Sequence, residues 1–203
     1  MTSPSLSIII LAAGKGTRMK SAKAKVLHEV FFAPMVQHVV NAVLPLNPTK
    51  TVVVVGHQGP AVEKALQSSD CQFVVQEHQL GTGHAVLAAE RAIKDDNCTI
   101  MILCGDTPLI TTETLSQMYT AHLRRGTTLT IMTTILDNPT NYGRIISGHA
   151  GNVLGIVEQK DASPEQLQIR EVNAGIYCVD KTFLFSALLK VDTNNSQKEV
   201  YLT

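Results

Sequence analysis

Directly after an apolar run that ends at Ala13, the chain reads Gly14-Lys15-Gly16-Thr17-Arg18-Met19. Two glycines so close together let a backbone pass near an anion and turn its amides toward it. Lys15, Arg18, Lys20, Lys23 and Lys25 place five positive charges in eleven positions, and no acid occurs before Glu29. Arg18 can grip phosphate oxygens as a two-pronged fork, and Lys25 can add a point charge. Together these residue types predict a phosphate-binding loop. It is neither of two familiar kinds. A Walker A loop needs GxxxxGK[ST], which is absent, and the third glycine of a GxGxxG dinucleotide fingerprint is replaced by Met19. The plainer reading is a glycine turn with solvated lysines.

Two further stretches could do related chemistry. In Gln76-Glu77-His78-Gln79-Leu80-Gly81-Thr82-Gly83-His84-Ala85, the glycines flanking Thr82 can open a helix whose free N–H groups face a ligand. The Gln76 amide can donate and accept at once, which suits a pyrimidine edge. An ordinary strand-to-helix turn capped by Thr82 would look the same, and His84 is expected to pack or cap. In Cys104-Gly105-Asp106-Thr107-Pro108, a carboxylate follows a strand-like run and a glycine. Such a group can hold Mg²⁺ beside phosphates, because Mg²⁺ typically takes one or two carboxylates and fills its shell with substrate oxygens and water. The alternative is an aspartate that caps a turn before Pro108.

Elements that position these residues are legible. Ser7–Leu11, Thr51–Val55, Gln72–Val75 and Thr99–Leu103 are near-continuous apolar runs of strand length. That pattern suits strands covered on both faces, as in a parallel sheet. Helical spacing marks Pro34–Leu44, Pro60–Leu66 and Thr82–Ile93, and Thr111 or Thr112 could cap a helix reaching Arg125. The alternation predicts an α/β fold, a three-layer sandwich around a mostly parallel sheet, with ligands at the carboxyl ends of the strands. After Asp137 the pattern changes. Asn138–Gly143 is turn chemistry, and Arg144–Ile146 and Asn152–Glu158 read as a hairpin around Gly148–Gly151. Glu171–Val179 reads as a strand and Lys181–Leu189 as a helix. This half is expected to be a small β-hairpin lobe or lid on the main sheet, so residues 1–203 form one domain.

Seventeen basic residues balance seventeen acidic ones. The zero net charge argues against a nucleic-acid partner, which usually meets a basic excess. The first residues lack a basic leader, and the run Ile8–Ala13 is too short for a membrane span. Cys71, Cys98, Cys104 and Cys178 form no CxxC pair and suit reduced thiols in a cytoplasmic protein. The histidines lack metal-site spacing.

With these motifs in view, the chain resembles the sugar nucleotidyltransferases, a Rossmann-like, GT-A-like superfamily, through its L-A-A-G-x-G-T-R-M…K-x-L stretch from Leu11 to Leu27. More narrowly it resembles the pyrophosphorylase domain of the bacterial bifunctional UDP-N-acetylglucosamine pyrophosphorylase / N-acetyltransferase family. Q-x-x-x-L-G-T-G-H-A, G-D-x-P-L, Y-G-R-I, I-V-E-x-K-D-A and E-x-N-x-G-I follow in order. The resemblance implies Leu11, Ala12, Ala13, Gly14, Lys25, Gln76, Gly81 and Thr82 on the nucleotide, with Arg18, Lys25 and Asp106 catalytic and Asp106 on Mg²⁺. It implies Cys104, Gly105, Gly143, Glu158 and Asn173 on the sugar phosphate. Cys104 departs from a frequent tyrosine, which questions one sugar contact. UTP and N-acetylglucosamine 1-phosphate are the implied substrates, and a homotrimer the implied assembly of the longer protein. The family's second magnesium ligand is an asparagine downstream of the stretch that begins at Tyr201-Leu202-Thr203, so a fragment of a longer protein is expected. Another sugar or base, or nucleotide binding with little turnover, remain alternatives.

Overall fold

Ile8–Ile10, Val52–Val55 and Ile100–Leu103 are wholly buried, which continuous apolar runs achieve only when both faces of their sheet are covered. In the computed structural model, residues 4–14, 16, 19–148, 152–193 and 195–203 are described. Along the chain run β1 (Ser5–Ala12), the short pair β2 (Glu29–Val30) and β3 (Ala33–Pro34), α1 (Met35–Val43), β4 (Lys50–Val55), α2 (Gly59–Ala65), β5 (Gln72–Val75), α3 (Thr82–Ala88), β6 (Cys98–Cys104), α4 (Thr112–Arg125), β7 (Leu129–Ile135), β8 (Arg144–Ser147), β9 (Val153–Val157), β10 (Glu171–Asp180) and α5 (Lys181–Leu188). None of these helices is long and apolar enough to cross a membrane.

The main sheet is ordered β5-β4-β1-β6-β10-β8-β9, and β7 pairs with β10. The block β5-β4-β1-β6 is parallel. Because side chains alternate along each strand, Ile8, Ile10, Val53, Val55, Met101 and Leu103 face one core with Val36, Val39, Val40 and Leu115. Ile9, Val52, Val54, Ile100 and Ile102 face the other, with Val86, Leu184 and Phe185. Helices therefore cover both faces, as expected. Residue Ala12 pairs with Val55, Leu11 with Cys104, and Val55 with Val75, so the parallel strands end level with one another. Everything that leaves those ends emerges on one rim.

The second half is built more deeply into the sheet than a lobe or lid resting on it. Strand β10 lies against β6, antiparallel, and is flanked by β7. Both belong to the body of the sheet. Only β8 and β9 form the expected antiparallel hairpin, joined to the sheet through Val172 and Arg144. Strand β7 was not foreseen, because LTIMTTI mixes threonines into a half-exposed strand and shows no continuous apolar run. Thr111 is the cap of α4, accepting from the Thr114 amide, and Gly126 ends the helix at φ 59°.

Two sites on this scaffold carry stability predictions. The turn between β2 and β3 is Phe31-Phe32, with φ of 48° and 64° and exposures of 80% and 98%. A two-residue hairpin turn with both φ positive favours Asn-Gly, whereas each bulky side chain there costs about 1–2 kcal/mol. Replacing Phe31-Phe32 with Asn-Gly should raise the unfolding free energy by about 1–2 kcal/mol and Tm by a few degrees in chemical and thermal denaturation. A loss of stability would show that the aromatic pair makes a compensating contact.

The second site is His122, buried in the last turn of α4 with its Nδ1 bonded to Thr130 Oγ1 at 2.9 Å. Burial pushes its pKa below the ordinary value, and the Asp180 carboxylate pulls part of the way back. The folded chain therefore takes up this proton later than the unfolded chain. The stabilisation is complete above pH ~6.5 and drains away as pH falls toward the lowered value. Replacing His122 with Gln should flatten the decline in unfolding free energy between about pH 7 and pH 5. An unchanged slope would assign the decline to other groups.

Candidate active site

The site is built where the level strand ends meet. After β1 the chain turns through Ala13 and Gly14 to Gly16, whose φ is 61°. A Cβ at Gly16 would lie 2.6 Å from Lys25 Cβ, so only glycine lets this loop close over Lys25. The Met19 amide donates to Gly16 O at 2.9 Å. Lys25 itself opens a single helical turn, Lys25–Leu27, whose Val26 and Leu27 are buried. The Ala24 amide donates to Gln58 Oε1 at 2.8 Å, which fixes the turn from the other side.

Across the rim, β6 delivers Cys104, Gly105 and Asp106. The Gly105 amide donates to Leu11 O at 2.9 Å, and Thr107 Oγ1 donates to Cys104 O at 2.8 Å. These bonds close the turn without the Asp106 carboxylate, which instead forms an ion pair with the Lys25 ammonium. The turn-capping alternative for Asp106 therefore does not describe this structure. Lys25 and Asp106 come from segments about eighty positions apart, and the fold sets them against one another at the mouth of one cleft.

That cleft is about 840 Å³ and is lined by Leu11, Ala13, Gly14, Lys25, Gln76, Gly81, Thr82, Cys104 and Asp106 among others. Its size suits a nucleotide-sized ligand. Nine of the residues expected to bind thus line one cleft. Ala12 does not present its side chain there: it is buried in the core beside Ile10, because alternation along β1 sends it inward. Arg18 lies outside the described residues, as do Lys15 and Thr17.

The Gln76 stretch is arranged differently from the expectation in two respects. Gln76, at 4% exposure, donates from Nε2 to Gly81 O at 3.1 Å and pairs with His84 Nδ1 at 3.0 Å. His84 therefore orients Gln76, in line with a packing role, and the amide's carbonyl end is left as the group to offer a ligand. Helix α3 is capped by Gly81, at φ 109°, with no side-chain cap. Thr82 Oγ1 accepts from the Leu202 amide at 3.0 Å, and the Gly83 amide donates to Val200 O at 2.8 Å. Of the amides expected to face a ligand, the one on Gly83 is thus already spent within the chain.

Gly143, Glu158 and Asn173 gather beside the cleft rather than in its wall. The Asn173 amide donates to Gly143 O at 2.9 Å, and a Cβ at Gly143 would sit 3.0 Å from Glu158 Oε1. The Asn173 side chain donates to Tyr177 Oη at 2.6 Å and accepts from the Gly175 amide at 2.9 Å. Gly175, at φ 73°, lies in the bulge of β10 between Asn173 and Tyr177. Its carbonyl faces Cys104 Sγ at 3.8 Å, linking the group to the cleft. Burial and the nearby Asp106 carboxylate push the Cys104 thiol up to about 12, with Lys25 acting weakly the other way, so it stays a neutral thiol and not a nucleophile.

Sequence reasoning passed over Glu199, which also lines the cleft, since nothing local marks it. It also passed over the role of Gly175, although an isolated glycine within a strand pattern signals a bulge. No cluster of three or more His, Cys, Asp or Glu that could hold a metal occurs among the described residues.

Residues 8–150 match the family model described as the MobA-like NTP transferase domain. Over 198 residues the chain is 59% identical to the bifunctional protein GlmU of Desulfotalea psychrophila, covering 98% of this chain and 58% of that protein. It is 48% identical over 196 residues to the bifunctional protein GlmU of Lactobacillus helveticus, covering 97% and 42%. The chain thus spans roughly half the length of these curated relatives. A solved UDP-glucose pyrophosphorylase complexed with UDP-glucose shares the fold at a TM-score of 0.75 and 18% identity, over 98% of this chain and 84% of that one. By sequence, this chain belongs to the MobA-like NTP transferase family and is a nucleotidyltransferase domain.

Proposed function

We propose that the chain transfers the uridylyl group of UTP to N-acetylglucosamine 1-phosphate, releasing pyrophosphate and forming UDP-N-acetylglucosamine. The observation that carries this reading is the meeting of Lys25 and Asp106 in one cleft with Gln76 and Gly81. It supplies a phosphate end and a base end within the reach of one nucleotide. The sugar-side motifs around Gly143, Glu158 and Asn173, contiguous with Cys104, support an amino-sugar phosphate as acceptor.

A sugar 1-phosphate is already an anion near neutral pH and needs no general base. Its oxygen attacks the α-phosphorus of UTP in line, a new P–O bond forms, and the bond to the β-phosphate bridging oxygen breaks. The leaving group departs as pyrophosphate. Two anions must approach, so the protein's contribution is positioning and charge neutralisation. Lys25 exchanges its carboxylate partner for a phosphate oxygen, and Arg18 is proposed to grip the same group. Asp106 fits Mg²⁺, since it is a partly exposed carboxylate facing the cleft and one protein carboxylate suffices beside phosphates. When bound, Mg²⁺ would supply countercharge to the phosphates. The four free thiols suit the reducing cytoplasm in which we place this activity.

The test is pyrophosphate release from UTP, CTP, GTP and dTTP, each offered N-acetylglucosamine, glucosamine or glucose 1-phosphate. The proposal expects the fastest release from UTP with N-acetylglucosamine 1-phosphate. Preference for another base or another sugar would redirect it. Binding of UTP without release would reduce the chain to a nucleotide-binding module.

A further inference from the structure

Residues 196–203 run between the Leu80–Gly83 loop of the cleft and the turn at Glu158–Asp161 beside it, which both ends of the segment touch. In the middle of this segment the Val200 amide donates to Leu80 O at 2.7 Å, and Val200 O accepts from the Gly83 amide. The Leu202 amide donates to Thr82 Oγ1, and the Leu202 side chain packs on the second core. At either end the partners are different. The Ser196 amide donates to Asp161 Oδ1 at 3.0 Å, Lys160 Nζ donates to Gln197 Oε1 at 2.7 Å, and Thr203 Oγ1 donates to Glu158 Oε1 at 3.1 Å. One segment therefore bonds the nucleotide-side loop, Leu80 to Gly83, and the sugar-side turn, Glu158 to Asp161.

The glycines of the loop are the seat of this segment. A Cβ at Gly81 would lie 2.4 Å from Val200 O, and one at Gly83 would lie 2.8 Å from Tyr201 O. Neither atom is the movable end of a side chain; both are backbone. Gly83 stands within α3, where alanine would ordinarily be favoured by about 1 kcal/mol. A glycine at that position is explained by the crossing backbone.

We propose that residues 196–203 act as a cross-tie that makes the nucleotide-side loop of the cleft and the sugar-side turn beside it one mechanical unit, with Gly83 and Thr82 as positioning residues for the sugar side. Disturbing the seat on the nucleotide side then loosens the turn at Glu158, although the Gly83 amide bonds Val200 and not that turn. The tie stands on these bonds alone; its effect on ligands rests on the proposed assignment of Glu158 to the sugar.

Amide hydrogen exchange of the ligand-free chain tests the tie. Gly83→Ala should speed exchange at Leu202 and Ser196, and also at Asp161, whose amide donates to Glu158 O, by about fivefold to tenfold, with the amides of β1 unchanged. Thr82→Val removes the Leu202 acceptor and, in the ligand-free chain, should act in the same direction without a clash, which keeps the test valid if the alanine variant folds poorly. Faster exchange at Leu202 with Asp161 and Ser196 unchanged in both variants would overturn the tie, as would slower exchange throughout Gly83→Ala. Titration with UTP and UDP-N-acetylglucosamine separates the two claims. A greater loss for UDP-N-acetylglucosamine supports both. Equal losses alongside the exchange effect would remove Glu158 from the sugar while leaving the tie.

Discussion

Replacing Asp106 with Asn should lower the rate of pyrophosphate release about a hundredfold to a thousandfold at saturating Mg²⁺, while leaving Tm nearly unchanged. The substitution keeps the shape of the side chain and removes its charge. Losing one preorganised electrostatic contact in a phosphoryl-transfer site typically raises the barrier by about 3–4 kcal/mol. Stability should hold, because the turn that carries Asp106 is closed by Gly105 and Thr107 and not by the carboxylate. The ion pair with Lys25 is itself partly exposed, and such pairs contribute little to folding. Steady-state rates beside a melting curve check both halves. A near-normal rate would remove Asp106 from the proposed metal site, and a large drop in Tm would make its role structural. Lys25→Met should show a loss of similar kind, and the double variant should lose less than the sum, because the two groups act on the same phosphates.

Gly16→Ala is expected to weaken UTP binding about tenfold to a hundredfold and to lower unfolding free energy by about 1–2 kcal/mol. The energetic part follows from a side chain forced into the left-handed region at φ 61°. The binding part follows from the collision of the new Cβ with Lys25 Cβ at 2.6 Å. The loop cannot shift without moving either the lysine or the amides of Gly14 and Gly16. Titration calorimetry with UTP and urea denaturation measure the two effects separately. Gly14→Ala is the control. A Cβ there meets nothing within 4 Å, so the fold should tolerate it, and any loss should appear in ligand binding. If Gly16→Ala binds UTP normally, the loop is not the phosphate cradle.

How far the sequence reaches can be judged from particular elements. The parallel core was legible because Ile8–Ile10, Val52–Val55 and Ile100–Leu103 are continuous apolar runs, a pattern with few other outcomes. Strand β7 was not, because its threonines face a half-exposed surface and obey neither of the simple periodicities. The central place of β10 was hidden for another reason. A strand's neighbours are set by pairing across long separations, here β10 with β6 and β7, and no local signal encodes them.

The site divides in the same way. Gly16, Lys25, Gln76 and Asp106 advertise themselves, because glycine at a tight turn, a concentration of cations and a carboxylate at a strand end each have a chemical meaning on their own. The ion pair between Lys25 and Asp106 follows only from tertiary placement, with the turn at Lys25 folded back beside the end of β6. Gly81 and Gly83 show the opposite case. Their identity was legible, but the reason at Gly83 was misread as an amide facing a ligand, when a crossing backbone occupies it. Glu199 enters the cleft through that same crossing.

The most direct test of the account is a crystal structure of the chain with UTP and Mg²⁺. That structure should show the triphosphate lying along Gly14 and Gly16, Lys25 moved from Asp106 onto a phosphate oxygen, the metal on Asp106, and the uracil ring against Gln76 and Gly81. A triphosphate bound elsewhere, with the Lys25–Asp106 pair intact, would contradict it.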